Sequence, residues 1–150
     1  MSYLQSQITI EQYLDSITNR SKKNHVGSIL NSFNIFCNQK YTKSSQQLLD
    51  DLSDEINKTN SNDKVYVLFN HFKDWLLVDH PEIVYYFGKN QTQKKSIKAR
   101  HPNTVRLYLI KIRSIFEEIG NIEINSRLFN KRVKVPKAEE EDPEPFTKEQ

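Results

Sequence analysis

ARHPNTVRLYLIKIRSIFEEIG, residues 99–120, decides how the rest of the chain is read. Pro102 suits the first position of a helix, where its missing N–H leaves nothing unsatisfied, and Gly120 suits the position just past the end. The segment therefore predicts one helix of about five turns. Val105, Tyr108, Leu109, Ile112, Ile115, Phe116 and Ile119 recur at three- and four-residue spacing, so one apolar stripe faces a core and Tyr108 belongs to it. The same region is strongly basic. No Asp or Glu occurs between Glu82 and Glu117, whereas Lys89, Lys94, Lys95, Lys98, Arg100, Arg106, Lys111 and Arg113 all fall there. An anionic partner follows from that imbalance.

Working outward, the other helices show the same pattern. Thr9, Gln12, Ile8 and Tyr13 form a capping box and hydrophobic staple for a short first helix that ends near Thr18. Ser21 is placed to cap a second helix, whose stripe is Val26, Ile29, Leu30, Phe33, Phe36 and Cys37. Its first turn carries Lys22, Lys23, Asn24 and His25. Cations there oppose the helix dipole, a penalty that a bound phosphate would reverse. Asn31, Asn34 and Asn38 form a row along the same helix, suited either to adenine edges or to solvent.

Ser44 and Gln47 open a third helix with Leu48, Leu49, Leu52 and Ile56 inward and Asp50, Asp51, Asp54 and Glu55 outward. That acidic face is expected to point away from any nucleic acid. A fourth helix, from Lys64 to Asp79, has the densest aromatic content and is expected to centre the core. Pro81 interrupts it, a helical turn through Tyr85 to Phe87 ends at Gly88, and Lys89 to Lys98 reads as an exposed basic loop, suited either to tracking a groove or to solvent. After the long helix, Ile122, Ile124, Leu128 and Phe129 are still able to pack.

The predicted fold class is therefore all-α: a compact bundle of about five helices over residues 1–137 with an extended basic C-terminal linker. Residues 1–138 carry 21 Lys and Arg against 13 Asp and Glu, while residues 139–150 carry one Lys against six acids. The overall net charge of +3 hides this split. EEEDPEP, within 138–145, reads as an acidic interdomain linker. Phe146, Thr147 and Gln150 repeat the staple, cap and capping-box pattern, so 146–150 reads as the first turn of a further domain that is cut short.

Several classes are disfavoured. The mean hydropathy of -0.74 and the lack of any apolar run near ~20 residues argue against a membrane span. One cysteine, Cys37, forms no internal disulfide and fits a reducing cytoplasm. The four histidines lack metal-ligand spacing, so no metal or other cofactor is expected. Neither a phosphate-binding glycine loop nor a readable nucleophile–base pair occurs.

The order of these signals resembles the N-terminal core-binding, SAM-like domain of tyrosine recombinases, the phage-integrase and Xer group, most closely its archaeal members. SKKNHVGSILNSFNIFCNQKY (21–41) is similar to the family's second helix, VYVLFNHFKDWL (65–76) to its aromatic helix, and HPNTVRLYLIKIRSIF (101–116) to its Ser-Pro-x-Thr motif. VKVPK (133–137) followed by EPFTKEQ (144–150) resembles the family's basic exit into the catalytic domain. Two departures stand out: His101 replaces the usual Ser, and His80 to Lys98 is longer than typical.

The resemblance implies that this domain and a catalytic domain, absent here, clamp double-stranded DNA as a tetramer of the full-length protein during site-specific recombination. The family's catalytic His-x-x-Arg is missing, so this chain is expected to bind DNA without cutting it, while the full-length protein is a recombinase. Expected DNA contacts are two neighbouring patches, Lys22, Lys23, Asn24 and His25 at one helix start and Lys98, Arg100, His101, Asn103, Thr104 and Arg106 at the other. Arg132, Lys134 and Lys137 in the exit strap join them. The alternative is a helical protein-interaction or oligomerisation domain with a basic surface, using exposed apolar residues such as Leu77, Val78 and Ile110.

Overall fold

A computed structural model describes residues 8–137. The elements run α1 (Ile10–Asp15), α2 (Arg20–Tyr41), α3 (Ser45–Thr59), α4 (Asp63–Leu76), β1 (His80–Phe87), β2 (Gln93–Ile97), α5 (Pro102–Gly120) and α6 (Ser126–Arg132). The fold is thus mostly helical with a small two-stranded sheet. The expected linker and second-domain turn, 138–150, lie outside the described residues.

The helix starts are built by local chemistry. Thr9 Oγ1 accepts from Gln12 N–H (3.0 Å) while Gln12 Oε1 accepts from Thr9 N–H (2.9 Å), and Ser44 with Gln47 repeats the arrangement at α3. Asn19, two residues before the expected Ser21, caps α2 by accepting from Lys22 N–H at 2.9 Å. Accordingly α1 stops at Asp15 rather than near Thr18, and α4 stops at Leu76 rather than Asp79.

Gly120 is not the residue past the end of α5. Asn121 takes the left-handed conformation (φ 52°), and Gly120 is the last helical residue. What its position demands is space: a Cβ there would stand 2.8 Å from Leu49 Cδ1. The absence of a side chain lets α5 and α3 approach closely.

The core is a chain of aromatic rings. Phe33 of α2 meets Phe72 of α4 edge-on at 5.0 Å and Phe116 of α5 at 5.7 Å. Phe116 in turn meets Phe69 at 5.4 Å, and Phe69 meets Phe129 of α6 at 5.1 Å. At the other end Phe36 contacts Phe72 and Trp75. The aromatic fourth helix is therefore at the centre, as its composition indicates. Ile122, Ile124 and Phe129 pack as expected, whereas Leu128 faces outward on α6, a helix the periodicity does not reveal.

The all-α expectation needs one correction. His80–Phe87 and Gln93–Ile97 pair antiparallel as a hairpin, in place of the expected helical turn and loop. Ile83 to Phe87 are β-branched or aromatic, which favours extended backbone once Pro81 has ended any helix. Gly88 (φ 85°), Asn90 (φ 64°) and Gln91 (φ 55°) supply the left-handed turn. The second strand carries no alternating signal because neither face of the ribbon is buried beyond its foot, where His80 and Ile97 pair.

Two measurements probe this core. Phe33→Ala removes the ring shared by three helices and is expected to lower stability by about 3–5 kcal/mol, read from urea unfolding. Burial pushes the Cys37 thiol up to about 12, so the folded protein at pH 8 should resist thiol-directed reagents and react fully only after unfolding.

Candidate nucleic-acid interface

The start of α5 is fastened to the end of α4. Arg100 N–H donates to the Leu76 carbonyl (2.8 Å) and Ala99 N–H to Asp79 Oδ1 (2.7 Å). Arg100 is then held half-buried with its guanidinium 5.7 Å from the Tyr108 ring centre. His101 precedes Pro102, and its Nδ1 accepts from Asn103 N–H at 3.1 Å. The imidazole thus fills the capping role of a serine hydroxyl, which explains how a histidine is accommodated at this position.

Arg106 gathers the remaining pieces. One guanidinium nitrogen donates to Asn103 Oδ1 (2.7 Å), and the other donates to the carbonyls of Pro136 (3.0 Å) and Val135 (3.4 Å). The segment after α6, residues 133–137, is thereby laid along the first turns of α5, with its Val133 buried and its Lys134 and Lys137 exposed. Because its partners are neutral carbonyls and an amide, Arg106 keeps its full charge uncompensated. Among the described residues, no ion pair involves Lys98, Arg100, Arg106, Lys134 or Lys137. Lys98, His101 and Asn103 are exposed and Thr104 is half-buried.

Lys22, Lys23, Asn24 and His25 are also accessible, but nothing described joins them to this cluster. Lys23 Nζ lies 3.7 Å from Asp15 Oδ1, an exposed pair of little energetic weight. Gln39, near the other end of α2, accepts from Trp75 Nε1 (2.6 Å) beside the α4–α5 junction. Lys22 stands about 25 Å along the helix axis from Gln39. Among the described residues, no hydrogen bond or ion pair links these two patches.

Other candidates have structural occupations. Arg132 Nη1 donates to Asp63 Oδ1 (2.9 Å) and its guanidinium covers Tyr66 at 5.1 Å, so it ties α6 to α4. Asn34 Oδ1 accepts from Ser45 N–H (2.9 Å) and Asn38 Nδ2 donates to the Asn34 carbonyl (3.0 Å), so each spends one of its two amide atoms within the fold. The acids of α3 are partly matched by lysines: Lys43 pairs with Asp51, and Lys64 with Glu55 at 3.2 Å.

Tyr85, Tyr86 and Phe87 are absent from the contacts expected on sequence grounds, and Lys94 and Lys95 belong to the stretch read as a loop that either tracks a groove or is solvated. All five stand on the hairpin, exposed. The run from Ile83 to Phe87 between a proline and a glycine is the signal that could have found them.

Among the described residues, no helix is long and apolar enough to cross a membrane, and no three His, Cys, Asp or Glu side chains are grouped to hold a metal ion. Comparisons with protein-family models, with curated proteins and with solved structures found no match.

The capping role of His101 is open to direct test. His101→Ala is expected to cost about 1 kcal/mol in chemical denaturation and His101→Ser to restore nearly all of it.

Proposed function

We propose that this chain is a duplex-DNA-binding module, the core-binding half of the clamp of a site-specific tyrosine recombinase working in the cytoplasm. The observation that carries the DNA reading is the Arg106 junction. It unites the start of α5 with the returning basic segment, and Lys98, Arg100, Arg106, Lys134 and Lys137 have no carboxylate partners among the described residues. Cations held without counter-charges favour a polyanion, and lysine and arginine neutralise phosphates while Asn103 and Thr104 offer neutral hydrogen bonds to the backbone. The recombinase assignment rests on the sequence resemblance at 21–41, 65–76, 101–116 and 133–137. On that reading a catalytic domain supplies the chemistry, and the full-length protein assembles as a tetramer on its site.

A protein-docking role has its own support. Leu107 and Ile110 are exposed on α5, and Ile110 rims a cavity of about 320 Å³ also lined by Leu109, Phe129, Val133 and Val135. In a tetrameric recombinase such a surface serves subunit contact, so the two roles are compatible.

Titration of a labelled ~30-base-pair duplex tests the proposal. Binding in the range of about 10⁻⁴ to 10⁻⁶ M near physiological salt is expected, weakening linearly on a log–log salt plot. The double change Lys134→Glu and Lys137→Glu should weaken it about tenfold or more and flatten the slope by about 1.8, at roughly 0.9 for each phosphate left without its cation. No binding at low salt at any accessible concentration would sink the reading.

A further inference from the structure

The hairpin is the one element whose exposure the bundle does not account for. Among the described residues, β1 and β2 have no other strand beside them. Every residue from Val84 to Lys95 is exposed, including four consecutive large apolar side chains: Val84, Tyr85, Tyr86 and Phe87 are 39, 45, 55 and 37% exposed. A lone two-stranded ribbon is marginal in water, and single exposed apolar residues are ordinary surface, but four in a row on a ribbon are not.

Its foot, in contrast, is firmly set. His80 is buried, stacks on Trp75 at 4.4 Å, and donates from Nε2 to the Trp75 carbonyl at 2.7 Å. Ile97 is buried opposite it. Glu82, beside the foot, accepts from Gln39 Nε2 at 2.8 Å. Only 98–101 separate β2 from α5, and Ala99 and Arg100 are fixed to the end of α4, so the foot of the ribbon and the start of α5 are held at the same junction.

The distribution of side chains on the ribbon identifies its occupant. Directly paired residues share a face, so Tyr86 and Lys94 lie with Val84 and Ser96 on one side, and Tyr85 and Lys95 lie with Phe87 and Gln93 on the other. Lys95 Nζ also sits 5.6 Å from the Phe87 ring centre. Each face thus presents aromatic surface together with a lysine, Lys89 marks the turn, and no carboxylate occurs from Ile83 to Phe116. A partner protein lying against one face would leave the other unmatched, and a second copy of this chain would set lysines against lysines. A groove walled by two rows of phosphate meets both faces at once.

We propose that the His80–Ile97 hairpin enters the major groove of the duplex bound by α5 and the segment 133–137, with Lys94 and Lys95 directed to opposite phosphate walls. Tyr85, Tyr86 and Phe87 lie against sugars and thymine methyl groups within the groove. Dimensions agree: the major groove is about 12 Å wide and about 8.5 Å deep and admits a two-stranded ribbon, while four residues of strand beyond the foot extend about 14 Å. The inference rests on the duplex-binding reading above.

The test uses the whole chain, a labelled duplex and three variants: Lys94→Ala with Lys95→Ala, Tyr85→Ala with Tyr86→Ala, and replacement of 84–95 by an Asn-Gly turn. The lysine pair should weaken binding about tenfold and flatten the salt slope by about 1.8, whereas the tyrosine pair should weaken binding with the slope unchanged. Guanine N7 atoms, which face the major groove, should be protected from dimethyl sulfate by the native chain and not by the shortened one. Circular dichroism confirms that each variant remains helical. Duplex binding by the native chain with unchanged affinity, slope and protection in all three variants overturns the ribbon proposal and leaves the DNA reading standing. Loss of self-association on a sizing column, with DNA binding intact, also overturns it by making the ribbon a protein contact. Failure of the native chain to bind duplex removes both.

Discussion

Phe33 holds the architecture together. Its ring lies edge-on to Phe72 and to Phe116, so one side chain of α2 fixes the positions of α4 and α5 simultaneously. Edge-on aromatic pairs constrain orientation as well as separation, because the positive ring edge seeks the negative face. With α4 and α5 set by that contact, the end of α4 meets the start of α5 and the hydrogen bonds from Ala99 and Arg100 close the junction. The exposed basic end of α5 is therefore a consequence of how the core packs.

Charge separates along with structure. Lysines beside α3 engage its acids, whereas Arg106 is satisfied by carbonyls and an amide. A guanidinium bound to neutral acceptors is held in place without losing its field. The segment carrying Lys134 and Lys137 is placed by the same hydrogen bonds, so rigidity and uncompensated charge arise from one residue. Arg132 shows the opposite arrangement, its charge committed to Asp63.

The hairpin illustrates a different balance. Its foot is anchored by a buried histidine stacked on the single tryptophan, while its outer part has no packing partner within the described chain. Stability is thus concentrated where the ribbon leaves the bundle. Such a division suits an element that makes its remaining contacts with something else.

Local signals in the sequence carry most of the helical fold. Capping boxes at Thr9 and Ser44, the apolar stripes of α2 to α5, and the aromatic weight of α4 are short-range patterns, and each is expressed at its own position in the structure. The hairpin is legible only in part: the β-branched and aromatic run Ile83 to Phe87 favours extended backbone, but periodicity reports burial, and a ribbon exposed on both faces has none to report. Gly120 misleads because a turn glycine and a close-packing glycine look alike until Leu49 is seen beside it. The basic composition of the α5 region is likewise plain in the sequence. Which cations share a surface is decided by tertiary structure alone, because the Arg106 bonds to Val135 and Pro136 join positions about thirty residues apart, and no local pattern encodes a contact made across that separation.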